Sequence, residues 1–355
     1  MKSFAERVTE WQLAFGRHDL PWQCTRDPYR IWLSEIMLQQ TQVSAVVPYY
    51  RRFLERFPDL ASLAAAPEDD VLVMWSGLGY YARARNLHSA ARTIVERHAG
   101  VFPGVFDEIV ALPGIGRSTA GAIAVFAFGA RRPILDGNVK RVLARAFGIA
   151  GFPGDKKIET AMWARAESLL PSQRVDAYTQ GLMDLGASVC TRSRPRCEAC
   201  PLHEVCVARR ENLISALPSP RPKKRLPEKA TVMLILQRER EVLLEKRPAP
   251  GIWGGLWSFP EIENLGDAAS ALRVRFGAEV VSEGMLPDVR HGFTHFALTI
   301  TPALLRVTRL EHRVHAPGHV WLTPADAISA AVPAPVREIL RRLHEQPDDQ
   351  PRRVR

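Results

Sequence analysis

Apolar positions recur every three or four residues through most of the first 216 residues, and the pattern changes beyond residue 229. A three-to-four spacing is the mark of helices buried along one face. The stretch "EIMLQQTQVSAVVPYYRRFLERF" follows it, with Pro48 as the expected kink or break. "PEDDVLVMWSGLG" opens on proline and acids and stops at Gly77, the punctuation of a short helix. "RARNLHSAARTIVERHAG" predicts an amphipathic helix ending at Gly100. "DEIVAL" then runs into the tight turn "LPGIGRST", and "STAGAIAVFAFG" leaves it, giving helix, glycine turn, helix over about 107–128. Residues 217–229, "LPSPRPKKRLPEK", are rich in proline and cations without an apolar period and read as a linker. After it, "ATVMLILQ", "EVLLEKR", "LWSFPEIE", "FALTITPALLRVT" and "HVWLT" predict strands, while "DAASALRVRFG" and Ala334 to His344 predict helices. The expected organisation is multidomain: an all-α domain over 1–216, the linker, an α+β domain over 230–345 and a short tail over 346–355.

A length of 355 residues agrees with two domains, and a hydrophobic content of 46% with 24% charged residues is that of a globular protein. The longest apolar stretch, Ala120 to Ala130, is too short to span a membrane. The first residues are charged and lack an apolar signal core, which predicts a cytoplasmic chain. A net charge of +10 favours a polyanionic partner, nucleic acid ahead of a membrane surface.

Several residue groups suggest chemistry. The "LPGIGRST" turn followed by a helix presents backbone N–H groups and the positive end of a helix dipole, and Gly114 and Gly116 let a phosphate approach. The same pattern serves equally well as an ordinary connection. Glu35 sits among Trp32, Leu33, Ile36 and Leu38, surroundings that raise a carboxyl pKa as a general acid needs. A surface glutamate near a helix start is the plainer reading. Asp136, in "PILDGNVKRV", is placed to cap the helix after it or, before a glycine turn and a cationic helix, to face DNA. Cys190, Cys197, Cys200 and Cys206 form C-x6-C-x2-C-x5-C, which by spacing alone leaves zinc and an iron–sulfur cluster equally open. Arg192, Arg194 and Arg196 lie between the first two, where an anchored loop would offer them to phosphates. Cys24, far from the group, reads as a buried or incidental thiol.

Taken together, "LSEIMLQQTQV", "GLGYYARARNLH", "LPGIGRSTAG", "LDGNVKRVLAR" and "QGLMDLGASVCTRSRPRC" resemble the MutY-type adenine DNA glycosylases of the endonuclease-III-like helix-hairpin-helix superfamily, over most of residues 20–210. The resemblance implies hydrolysis of the N-glycosidic bond of adenine mispaired with 8-oxoguanine or guanine in duplex DNA, by a monomer without a membrane partner. It implies that Glu35 protonates the adenine ring, that Asp136 stabilises the oxocarbenium ion, and that Asn138 helps hold Asp136 and the water. It also implies that Gln40 and Tyr80 fill the gap left by the flipped base, that Leu38 and Gln180 line the adenine pocket, and that the four cysteines hold one [4Fe–4S] cluster. Relatives that also cut the strand carry a lysine two residues after the second glycine; Ser118 takes that seat here, so no amine nucleophile is expected.

The second domain carries "GIWGGLWSFPEIE", which resembles the Nudix fold. Gly255 and Glu261 fit the Nudix pattern, but Ala269-Ser270 and Arg273-Val274 stand where its metal-binding pairs belong. A cation in a carboxylate slot is incompatible with Mg²⁺ binding, so recognition without hydrolysis is expected. The resemblance implies that Phe293, Thr294 and His295, in "GFTHF", probe 8-oxoguanine. Three rivals stand against this reading. They are an endonuclease-III-type glycosylase/lyase for damaged pyrimidines, a DNA-binding protein without activity, and a nucleotide pyrophosphohydrolase.

Overall fold

The computed structural model describes residues 2–222, 226–248, 251–310 and 318–345. The tail over 346–355 and the centre of the linker, Lys223–Arg225, lie outside the described residues. The chain divides into two compact units, 1–66 with 85–223, and 67–84 with 224–355.

The helices of the first unit are α1 (Phe4–Phe15), α2 (Pro28–Leu38), α3 (Val43–Arg56) and α4 (Leu60–Ala65), then, after α5 (Glu68–Trp75) of the second unit, α6 (Ala82–Arg97), whose first residues belong to the second unit. They continue with α7 (Phe106–Ala111), α8 (Arg117–Phe128), α9 (Gly137–Phe147), α10 (Lys156–Ser168), α11 (Val175–Asp184) and α12 (Val207–Arg210). The break expected at Pro48 falls earlier, at Gln39–Gln42, and α3 runs through the proline. Gln40 takes a left-handed backbone, φ 58°, which no glycine announces. The helix-turn-helix of the glycine motif appears where it was expected, as α7, turn and α8. Val139, Val142 and Leu143 of α9 share one apolar core with Val8 of α1 and Leu182 of α11.

The second unit holds β1 (Glu228–Arg238), β2 (Glu241–Lys246), β3 (Trp257–Ser258), β4 (Glu261–Ile262), α13 (Ala268–Phe276), β5 (Ala278–Met285), β6 (Val289–Gly292), β7 (Ala297–Leu310), β8 (His319–Leu322), α14 (Pro324–Ser329) and α15 (Ala334–Glu345). The sheet order is β3-β2-β1-β7-β5, with β1 and β7 parallel. Alternate β1 residues serve opposite faces. Met233 and Ile235 pack in a cluster with Ile339 and Leu340 of α15, and Leu234 and Leu236 in another with Leu272 and Phe276 of α13. Burial on both faces explains the unbroken apolar run of β1. The strand starts at Glu228, inside the expected linker.

Candidate active site

Helix α2 begins at Asp27, whose carboxylate accepts from Tyr29 N at 2.9 Å, with Pro28 at the first helical position. Seven of its residues are buried, and Glu35 is half-buried among them. Burial in these apolar surroundings pushes its carboxyl up to about 8, and the negative charge of Asp136 adds to the shift.

Asp136 is fixed from two sides. Ser118 Oγ, in the first turn of α8, accepts from Leu135 N at 2.9 Å and holds the strand-like approach to it. Asp136 also caps α9, its Oδ1 accepting from Val139 N at 2.7 Å. Burial raises its pKa, while the N–H groups of Val139 and Asn138 and the charge of Arg141 oppose that rise. Glu35 has no such relief: burial and the charge of Asp136 both raise it.

Two cavities meet at Glu35. One, of about 900 Å³, is lined by Glu35, Leu38, Gln40, Ser118, Asp136 and Asn138, among others. The other, of about 340 Å³, is lined by Glu35, Leu38, Gln180, Arg17, Trp22 and other residues. Gln180 is aimed by its neighbour on α11: its Nε2 donates to Asp184 Oδ1 at 2.8 Å. Asp184 is 1% exposed and also receives Arg17 N at 2.9 Å and Arg17 Nε at 2.7 Å. One N–H of the Gln180 amide is taken up by Asp184, and its oxygen can accept a hydrogen from an amine in the cavity.

Like Asp184, further residues not singled out in the sequence complete the site. Arg141 donates to Asn138 Oδ1 at 2.8 Å, to Gly186 O at 2.6 Å and to Cys190 O at 2.6 Å, so it ties the Asp136 loop to the cysteine loop. Arg145, 3% exposed, donates to the carbonyls of Leu217, Thr191 and Arg192 at 2.7–3.0 Å, and its Nη1 lies 3.4 Å from Cys190 Sγ. Gly186, in the π-helical turn Leu185–Val189, packs so closely that a Cβ there would stand 2.5 Å from Asn138 Cβ. Arginines at 141 and 145, one turn apart on α9, and a lone aspartate in "GLMDLG" were the available signals. Gly186→Ala is expected to cost about 1–3 kcal/mol by overpacking and to slow turnover by displacing Asn138; thermal unfolding and single-turnover kinetics check it.

In the glycine turn, Gly114 has φ 78°, and a Cβ there would lie 2.6 Å from Asn86 Cβ, so the fold itself requires glycine. Gly116 has an ordinary φ of −90° and open space where its Cβ would be. It caps α8, whose ladder opens with Ala120 N donating to Gly116 O. The bare backbone there gives an outside group access to the helix end.

Cys190, Cys197, Cys200 and Cys206 line one cavity with Arg145. Among the described residues, no three His, Cys, Asp or Glu groups gather at the distances a single metal ion needs. Burial and the neighbouring thiols push Cys197 up, and burial pushes Cys200 up to about 12. Arg192, Arg194 and Arg196 of the same loop are exposed. Cys24 is also exposed, which leaves the incidental thiol and not the buried one.

Tyr80 and the 293–295 loop belong to the second unit. Tyr80 is 49% exposed with φ 50°, a left-handed conformation costly for a tyrosine. Thr294 and His295 are exposed, and Phe293 stacks on Phe296 with ring centroids 4.4 Å apart. Phe293 N donates to Phe296 O at 2.8 Å and closes the loop. Glu261 is ion-paired with Arg247, and Arg273 and Val274 are exposed on α13. No helix among the described residues is long and apolar enough to cross a membrane.

Residues 33–168 match the family described as HhH-GPD superfamily base excision DNA repair protein, and residues 231–342 match the NUDIX domain. The adenine DNA glycosylase of Buchnera aphidicola subsp. Acyrthosiphon pisum (strain APS) is 40% identical over 338 residues, covering 95% of this chain and 96% of that one. The adenine DNA glycosylase of Homo sapiens is 32% identical over 388 residues, covering 92% and 71%. A solved structure of a thermostable thymine-DNA glycosylase is 29% identical with a TM-score of 0.53, covering 59% of this chain and 95% of that one. The chain belongs to the adenine DNA glycosylase family, with a helix-hairpin-helix glycosylase domain followed by a Nudix-like domain.

Proposed function

We propose that this chain hydrolyses the N-glycosidic bond of adenine opposite 8-oxoguanine, or opposite guanine, in duplex DNA. One observation carries the reading: two carboxyls, Glu35 and Asp136, line the same cavity, and Glu35 also borders the smaller cavity of Gln180 and Leu38. Cleavage of a base from deoxyribose needs a proton on the leaving base and an anion beside the cationic sugar. Glu35 donates that proton to the purine ring. Gln180 accepts from the adenine amine, and Leu38 packs on its face. Asp136 stabilises the oxocarbenium ion, and Asn138, held by Arg141, fixes the carboxylate and the attacking water.

Ser118 is a positioning residue in this mechanism. Its hydroxyl is engaged with Leu135 N, one residue before Asp136, and it supplies no amine. Borohydride therefore traps no covalent protein–DNA adduct of the lyase type. The glycine turn holds backbone phosphate on Gly114 and Gly116, Gln40 and Tyr80 fill the gap as the adenine leaves the stack, and Phe293, Thr294 and His295 test the opposite base.

Cys190, Cys197, Cys200 and Cys206 would hold one [4Fe–4S] cluster. The four thiols line one cavity, and four thiolates close in sequence are a ligand set that such a cluster takes. Iron would supply the positive charge that keeps the buried thiols ionised, and the anchored loop presents Arg192, Arg194 and Arg196 to phosphates. Iron analysis is expected to give about four atoms per chain, as the cluster type requires, and Cys200→Ser to lower that content and weaken DNA binding. Zinc instead of iron would refute the assignment.

The decisive assay is incubation with duplex DNA carrying adenine opposite 8-oxoguanine, scored for free adenine and for strand breaks that appear only after alkali. Absence of free adenine, with a Glu35→Gln variant that behaves identically, would leave only a DNA-binding role. Strand breaks without alkali would favour the glycosylase/lyase.

A further inference from the structure

By sequence, residues 67–84 lie inside the helical half of the chain, yet they cluster with the C-terminal sheet. Contacts among the described residues help to hold them there. Lys246 Nζ, on β2, meets Asp69 Oδ1 at 2.6 Å. Tyr81 Oη donates to Val332 O at 3.4 Å and stands 3.4 Å from Ser76 Oγ. Arg337 Nη2, on α15, donates to Ser76 Oγ. The Arg337 guanidinium is itself aimed by two backbone carbonyls, Nε to Ile328 O at 3.2 Å and Nη2 to Ala330 O at 3.3 Å. A planar fork fixed at two points presents its remaining donor in one direction.

Ser76 and Tyr81 bracket the turn that carries Tyr80. Within it Gly77, Gly79 and Tyr80 have φ of 105°, 72° and 50°. Glycine adopts such angles freely and tyrosine does not, so the turn persists only where its surroundings over-determine it. Inside the turn, Trp75 Nε1 and Arg83 Nη2 donate to Gly79 O at 3.2 and 3.3 Å, and the Arg83 guanidinium carbon lies 5.7 Å from the Tyr80 ring centroid. Its outer supports come from β2 and α15. An exposed aromatic on a costly backbone is thus framed by the sheet domain.

We propose that Arg337 is a positioning residue for the Tyr80 turn, so that the C-terminal domain sets the pose of the aromatic side chain that enters the DNA stack. This rests on the gap-filling role given to Tyr80 above. The sheet domain then contributes to opposite-base discrimination twice, through its 293–295 loop and through the clamp on Tyr80.

Two measurements on the full chain test it. The first places 3-fluorotyrosine at position 80 and follows its fluorine resonance without DNA. Arg337→Ala is expected to shift or broaden the signal, and Arg337→Lys to do so less. The second compares single-turnover excision of adenine opposite 8-oxoguanine with excision opposite an abasic site, where the partner strand offers no base for Tyr80 to contact. Loss of a charged hydrogen bond predicts that Arg337→Ala lowers the ratio of the two rates about tenfold. Tyr80→Ala lowers the same ratio, and the double variant falls no further than the more severe single one. Equal losses on both duplexes, additive losses, or an unmoved fluorine signal overturn the proposal. If the signal moves in Arg337→Ala but Tyr80→Ala spares the ratio, the gap-filling role of Tyr80 is what fails, and the functional half of the proposal falls with it.

Discussion

Glu35→Gln is expected to abolish adenine release, by about 10³-fold or more, while DNA binding persists. General acid catalysis contributes about 10²–10⁴-fold, and a glutamine of the same shape has no proton to give. The pH profile carries the same argument. With its carboxyl pushed up to about 8, Glu35 is neutral and able to donate at pH 7, and activity of the free enzyme should fall tenfold per unit above about pH 8. Activity that is flat from pH 7 to 10 would show that Glu35 is not the acid.

The same shift makes a stability prediction, in which Glu35→Gln gains stability as it loses activity. The unfolded chain ionises Glu35 at the ordinary carboxyl value, whereas the folded chain keeps the proton until about pH 8. Across that window the folded state binds more protons, so rising pH destabilises it. Glu35→Gln removes the buried charge and with it this loss. The variant should melt higher than the parent at pH 8 and above, although it is inactive.

Legibility in the sequence differed by kind of feature. Helix α2 and the α7–turn–α8 unit were readable because apolar spacing and glycine punctuation are local signals. Asp136 was readable as a helix cap, and the structure shows it capping α9 while it lines the cavity of Glu35. The end of α2 was not readable, because the left-handed residue is a glutamine. β5 and β6 escaped notice because polar residues such as Glu279, Ser282 and Arg290 interrupt their pattern, and their pairing with β7 is a long-range property. Arg141, Asp184 and Gly186 act through partners distant in sequence, and no local pattern announces such contacts. The grouping of 67–84 with the C-terminal sheet has the same origin, since its ties run to residues more than 170 positions away.

Asp136→Asn separates chemistry from folding. Asparagine caps helices as well as aspartate does, so the bond from Val139 N survives and α9 keeps its start. Asn138, Arg141 and the Ser118–Leu135 bond also remain to hold the loop. What disappears is the negative charge beside the position of the sugar. Fixed charge aimed at developing charge in a water-poor site contributes about 10²–10³-fold to rate, so excision should slow by at least that factor while the melting temperature changes little. Loss of Asp136 also removes the charge that helps raise Glu35, whose pKa should therefore drop and move the falling limb of the residual pH profile to lower pH. Full turnover by Asp136→Asn with adenine opposite 8-oxoguanine would mean that the cation is stabilised elsewhere. A large drop in melting temperature would mean that the carboxylate mainly serves the helix. A slow, stable variant with its pH limb displaced to lower pH is the result that assigns the carboxylate to the reaction.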